Sequence, residues 1–398
     1  MIPTTWKKVA IGSVAAVNPS LPRVPSPEEP VSFLSMSDLG EGIIVQRQTR
    51  MASEVLNGFT QFADGDVLIA KITPCFENGK GCICDRLQSG LGFGSTEFIV
   101  LRPKEGVDRT FLFYQTIAHS FRRAGAAGMV GSAGQKRLQP GFVRTYPITL
   151  PPLPEQRAIA AVLATWDRGV RQLSDLILAK ERTREGLVQR LFSGSLRFQT
   201  FAKHAHEQIP LNQVLEKVAD SVVPSANEMY REIGVRSHGK GIFHKEPVSG
   251  ESLGNKRVYR VVPGCLTFNI VFAWERAVAI TTEREDGMIA SHRFPMFRPD
   301  PDRLLAEYAL LYLLSKKGSE ALELASPGGA GRNRTLSQTG FLKNRIPLPS
   351  LAEQRRVVTF VQAADREIDL LQRQLDALKQ QKKGLMQKLL TGEVRVKP

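Results

Sequence analysis

The sequence predicts an α+β fold in which two α/β domains alternate with two long helices that pair as a coiled coil. Three observations carry this. The stretch Leu150-Pro-Pro-Leu-Pro-Glu155-Gln156-Arg157 recurs as Leu348-Pro-Ser-Leu-Ala-Glu353-Gln354-Arg355, and Gly186, Gly194 and Arg197 recur at the same offset as Gly384, Gly392 and Arg395. Between the opening and closing residues of each copy runs an apolar heptad. Finally, the segments ahead of the two copies share one order of strand, helix and glycine-rich signals. An internal repeat of this size fixes the architecture.

Ile159, Leu163, Trp166, Val170, Leu173 and Ile177 step by four and three, and Leu187 and Leu191 resume the register beyond Lys180 and Arg184. The second copy places Val357, Val361, Ala364, Ile368, Leu371, Leu375, Leu378, Leu385 and Leu389 at equivalent positions. This alternation marks the narrow seam of a coiled coil, in contrast to the broader apolar face of a globular helix. Leu173 and Leu371 are expected to be buried in that seam. Ser350 followed by Glu353 has the spacing of a capping box, and Pro154 suits a first turn. Gly194 and Gly392 are expected to stop helices of about 37 residues, on the order of 55 Å each.

The remaining segments read as follows. In residues 1–149, Trp6 to Val17 has helical or strand-like spacing, and Val67–Ala70 and Glu97–Leu101 read as strands. Thr110 to Arg123 has helical periodicity and leads to a glycine-rich stretch ending at Gly141-Phe142. Residues 199–347 repeat this order with little identity: an opening at Ile209–Val214, a strand at Cys265–Asn269, a helix from Leu304 to Leu324, and a glycine-rich stretch before Gly340-Phe341. The expected boundaries are thus 1–149, 150–198, 199–347 and 348–398.

A chain of 398 residues with net charge +15 and pI near 9.8 has room for several cores, and a protein this basic is expected to meet a polyanion. The start lacks the apolar core of a signal peptide and no run has the length of a membrane span, so the chain is expected to be soluble and cytoplasmic. Cys75, Cys82, Cys84 and Cys265 do not have a zinc spacing and are expected to be buried free thiols. His204 and His206 fall in a segment expected to be solvated.

The paired Pro-Leu-Pro-Glu155-Gln156-Arg157 and Ser-Leu-Ala-Glu353-Gln354-Arg355 openings each follow a domain ending in Gly-Phe. This arrangement resembles the specificity subunit of type I restriction-modification systems, over nearly the whole chain. The resemblance implies two target recognition domains, each reading half of a bipartite site in double-stranded DNA. The two helices would pack antiparallel around a pseudo-twofold axis, set the distance between half-sites and dock methyltransferase subunits, two in number, with restriction subunits as further partners. Ser350 and Ala352 stand where the first copy has prolines, which alters the helix entry.

No catalytic constellation emerges. Asn18-Pro19-Ser20-Leu21 lacks the second proline and the aromatic of an adenine methyltransferase loop, and Gly131–Lys136 fails the spacing of a phosphate-binding loop. Asp66, Glu77 and Lys80 come nearest to a nuclease cluster, but a solvated turn accounts for them. The chain is therefore expected to be a non-catalytic subunit without cofactor or metal; a coiled-coil protein adaptor without DNA specificity is the alternative. The expected DNA contacts are Gln135, Lys136 and Arg137 in the first glycine-rich stretch and Arg332, Asn333 and Arg334 in the second. Arginine reads guanine bidentately, and asparagine or glutamine reads adenine. Lys256, Arg257, Arg260, Arg276 and Arg293 suit phosphates, and Lys71 and Asn269 occupy equivalent places in the two domains.

Overall fold

The computed structural model describes residues 5–132, 134–202, 206–328 and 334–397. The chain divides into two compact units, Met1–Ser174 with Arg373–Pro398, and Asp175–Gln372. Each long helix therefore belongs to both units, contributing one half to each.

In the first unit, Lys7–Ala10 pairs antiparallel with Pro147–Leu150 and so joins the two ends of the domain. Between them lies a four-stranded antiparallel sheet of β1 (Ala15–Val17), β2 (Val67–Ala70), β3 (Gly81–Ile83) and β4 (Phe98–Pro103), in the order β1-β4-β2-β3. The run Val-Leu-Ile-Ala of β2 is apolar throughout because both faces of the sheet are covered. Val67 and Ile69 pack with Phe111 and Phe121 of α1 (Arg109–Ile117) and α2 (His119–Ala127), while Leu68 packs with Leu34, Phe62 and Cys82 on the other side. The second side is a further sheet of Gln48–Met51, Pro30–Leu34, Leu91–Gly94 and Thr60–Ala63, with one parallel pairing. The long helix α3 (Leu153–Ser193) follows.

The second unit repeats this plan. Glu207–Pro210 pairs with Arg345–Leu348, and β5 (Leu215–Val218), β6 (Leu266–Phe268), β7 (Val278–Ile280) and β8 (Met296–Pro299) form a sheet in the order β5-β8-β6-β7. Helices α4 (Ala306–Leu314) and α5 (Lys316–Leu324) cover it, and α6 (Leu351–Thr391) closes the chain. The second layer is where the repeats part company: small sheets of two and three strands replace the four-stranded one.

Three expectations are corrected. Each helix read as continuous, Thr110 to Arg123 and Leu304 to Leu324, is a broken pair, interrupted at Ala118 and Ser315, both with extended ψ. Ser315 restarts α5 by accepting a hydrogen bond from the Gly318 amide, and a Cβ on Gly318 would lie 2.0 Å from the Tyr312 carbonyl oxygen. Asp66 is not on a solvated turn. Its buried carboxylate accepts from the Ala63 amide and from Arg102 Nε and Nη2 at 2.8 and 2.7 Å, which raises the arginine's pKa. Of the cysteines, Cys82, Cys84 and Cys265 are buried free thiols, whereas Cys75 is half-buried.

The two long helices run 41 residues each, a turn longer than expected. Within the first unit, Ile159 and Leu163 share a core with Met386 and Leu389, and Asp167 pairs with Lys382. Within the second, Leu191 shares one with Val357 and Val361, and Lys180–Glu367 and Arg184–Asp365 pair at 2.6 and 2.8 Å. In each unit, rising numbers on α3 meet falling numbers on α6, so the halves run antiparallel. Leu173 and Leu371 are half-buried, whereas Ile177 and Leu375 are buried.

Both helices end on a glycine in the left-handed region, Gly194 at φ 79° and Gly392 at φ 78°. Both begin on a clasp. Buried Glu155 accepts from Arg395 Nε and Nη2 at 2.8 and 2.7 Å and from the Trp6 indole at 3.0 Å. Buried Glu353 accepts from Arg197 at 3.0 Å and contacts His206 Nε2 at 3.0 Å. The neighbouring Gln156 bonds the Asp108 amide and the Gly106 and Pro151 carbonyls, and Gln354 does the same with Leu305, Arg303 and Pro349. The repeated Glu-Gln pair thus ties each helix start to the end of the other helix and to the domain. This corrects two readings. The capping box at Ser350 is half formed, because its hydroxyl accepts from the Glu353 amide while the carboxylate is taken by Arg197. His206 is not solvated; His204 lies outside the described residues.

The Arg395 hydrogen bond, aided by Trp6, holds the Glu155 carboxyl below its ordinary range against the opposing effect of burial. A depressed folded-state pKa contributes stability that is present above the unfolded value and lost as pH falls through the folded one. Arg395→Ala is expected to lower Tm most near pH 7, with the gap to the parent protein closing below about pH 4, where an unfolded-state glutamate is protonated. Thermal melts across that range check it; a gap independent of pH would count against the clasp.

Candidate nucleic-acid interface

The first candidate surface is built on the end of β2. Lys71 follows Ala70 directly; its amide donates to Glu97 O at 2.8 Å, and its carbonyl accepts from the Leu138 amide at 2.7 Å. The glycine-rich stretch returns onto this strand end: Val130 and Arg137 exchange two backbone bonds, and Thr73 N donates to Lys136 O. The loop between them turns on Gly131 and Gly134, both at positive φ, and exposes Gln135 and Lys136. The structure therefore gathers Lys71, Gln135, Lys136 and Arg137 at one corner. Their states differ. Arg137 is held by the Glu97 carboxylate at 2.9 Å and bonds the Gln135 carbonyl, so it braces the loop. The side chains of Lys71, Gln135 and Lys136 have no partner among the described residues.

The second unit has the same corner. Asn269 follows the last residue of β6, but here the Leu336 amide donates to Ile270 O at 2.8 Å and the Ile270 amide to Arg293 O at 3.0 Å, so Ile270, one residue beyond the expected Asn269, takes the backbone place of Lys71. Here the corner opens into a groove of about 520 Å³ lined by Lys245, Lys256, Asn269, Phe272, Arg293 and Phe294, among others. The Asn269 side-chain oxygen accepts from the Val271 amide at 3.2 Å, leaving its amide nitrogen to donate. Lys256 and Lys245 both pair with Glu232. Burial pushes that carboxyl up, but the two ammonium groups outweigh it and hold it below its ordinary range. Arg293 is exposed and has no side-chain partner among the described residues.

The other expected contacts are dispersed. Arg257 is exposed next to Lys256 but does not line the groove, and Arg260 pairs loosely with Asp220 at 3.4 Å. Arg276 sits in the left-handed region at φ 60°. Arg334 is bound to Glu323 at 3.0 Å and lies over the Trp274 ring, and so, like Arg137, is engaged within the protein. Arg332 and Asn333 lie outside the described residues. Sequence reasoning missed Lys245 and the aromatics Phe272 and Phe294. Phe294 adjoins the expected Arg293, but no spacing in the sequence brings Lys245 to it. Among the described residues no group of His, Cys, Asp and Glu is placed to hold a metal, and no helix is long and apolar enough to cross a membrane.

The model of the type I restriction modification DNA specificity domain matches residues 3–178 and 269–380. The chain belongs to this family. The EcoAI specificity subunit of Escherichia coli is 37% identical over 161 residues, which is 40% of this chain but 27% of that protein. The chain thus matches about a quarter of that relative's length. The MjaVIII specificity subunit of Methanocaldococcus jannaschii is 24% identical over 329 residues, covering 77% of this chain and 75% of its own. A solved type I R-M system, described for its complex assembly and conformational transition, superposes with a TM-score of 0.66 at 20% identity, covering 99% of this chain and all of its own. The HsdS subunit of Thermoanaerobacter tengcongensis gives 0.54 at 20% identity, covering 99% of this chain and 98% of its own. These two share the fold: two mixed sheet-and-helix domains on a pair of long helices.

Proposed function

We propose that this family member is the non-catalytic subunit that gives a type I restriction-modification complex its DNA sequence specificity. Residues 1–149 and 199–347 are its two target recognition domains, each reading half of a bipartite site. The helical segments 150–198 and 348–398 set the spacer and dock methyltransferase subunits, with restriction subunits as further partners. The observation that carries this is the repeated corner at the ends of β2 and β6. A strand end met by a returning leucine amide is built twice and furnished differently: Lys71, Gln135 and Lys136 in one, Asn269, Lys256 and Arg293 in the other. A shared frame with different polar and basic groups is what two readers of different half-sites need, since phosphate contacts position and base contacts specify.

Mapping modified adenines in cells with and without the chain tests the reading. One bipartite motif is expected to vanish with the chain. In cells carrying Lys136→Ala, the same motif is expected to persist at lower occupancy, because losing a phosphate contact weakens binding nearly uniformly. An unchanged pattern without the chain would refute the assignment.

A further inference from the structure

Among the described residues, Arg122, on α2, is the charged side chain with buried polar atoms that lack a partner. It is 7% exposed, and its Nη1 donates to the Phe76 carbonyl at 2.7 Å, while Nε and Nη2 have no acceptor. The guanidinium lies 4.6 Å from the Phe76 ring centroid. Burial lowers its pKa to about 10, opposed by Glu41 and Glu77, so it is charged at neutral pH. A buried charge with unmet donors is costly unless something completes it.

Arg122 lines a groove of about 710 Å³ within the first unit, between α1, α2 and the helix pair. Phe113, Tyr114, Ile117, Val170 and Met386 give the groove an apolar lining. Tyr114 donates to Asp167 at 2.6 Å, and Lys382 is committed to the same carboxylate. On the rim, the exposed Arg171, Lys379 and Lys383 have no ion-pair partner among the described residues. The second unit lacks the key group: the fourth residue of α5, where α2 has Arg122, is Ser319.

We infer that this groove receives a protein segment carrying an aspartate or glutamate among apolar side chains, whose carboxylate completes Arg122 while the rim cations attract it. A planar guanidinium with two free donors suits a carboxylate. A DNA backbone fits less well, because the apolar lining gains nothing from phosphates. Resting on the function proposed above, the segment belongs to the methyltransferase subunit. Since Ser319 cannot replace Arg122, the first unit holds its partner by a contact the second does not make.

The test titrates the methyltransferase subunit of the same system into the full chain by calorimetry. Arg122→Met and, on the exposed rim, Lys383→Glu are each expected to weaken binding at least tenfold, while Arg122→Met leaves affinity for non-specific duplex within about twofold. The rim variant keeps the test valid if Arg122→Met folds poorly. Undiminished methyltransferase affinity in folded variants overturns the inference, as does a loss confined to duplex binding. If the parent chain itself fails to bind the methyltransferase subunit, the functional reading falls and the inference with it.

Discussion

Leu163→Asp is expected to unfold the first unit. Leu163 is completely buried in α3, in the core it shares with Phe111, Phe121 and Leu389. An aspartate there either carries an unpaired charge into apolar surroundings or takes up a proton to avoid it, and also loses the leucine's packing. The combined penalty is on the order of 5 kcal/mol, comparable with the whole stability of many domains. Leu178→Asp on the same helix is the control. Its side chain is 51% exposed, so its effect is expected within about 1 kcal/mol. Thermal melts of the two variants decide the matter. A Leu163→Asp protein that melts with the parent would show that the heptad stripe is not the core it is taken to be.

The same helices show what a sequence makes legible. A seam with period three and four, repeated over a long stretch and closed by a glycine, leaves little room for another fold. The helices, their glycine stops and the buried Ile159, Leu163, Ile177, Leu191, Val357, Val361, Leu375 and Leu389 were therefore readable, whereas the buried Val188, Phe192, Val358, Met386 and Leu390 were not. The role of Glu155 and Glu353 was not. Their partners Arg395 and Arg197 are remote in sequence, and Ser350 offered a local explanation for Glu353 that tertiary pairing overrode. Asp66 failed in the same way: polar and flanked by glycine, it reads as solvated until Arg102 closes over it. The breaks at Ala118 and Ser315 carry no proline, and the best available signal was Gly318, where the chain passes too close to Tyr312 for a side chain. At the candidate interface, position was legible and state was not. Basic residues near the glycine-rich stretches could be singled out, but only the fold shows that Arg137 and Arg334 are held by Glu97 and Glu323 while Lys136 and Arg293 stand clear.

If the helix pair sets the distance between half-sites, lengthening it should lengthen the spacer and change nothing else. In the first unit, the residue facing the Gln172–Leu173 step on the antiparallel partner lies near Asp376, as the pairing of Asp167 with Lys382 indicates. Seven residues inserted in both helices, after Gln172 and after Asp376, keep the apolar seam in phase, with a drift of only about 20°. The helices gain about 10 Å. At about 3.4 Å per base pair, the spacer is expected to grow by roughly three base pairs. A single-helix insertion would instead shift Asp167 off Lys382 and put the two seams out of register. Both half-site sequences are expected to stay as they were, because the corners at β2 and β6 are untouched. Mapping modified adenines in cells carrying the double insertion reads spacer and half-sites together. A modified motif with the original spacer would show that the separation of the readers is fixed by something other than helix length, and altered half-sites would show that the domains do not read independently of their scaffold.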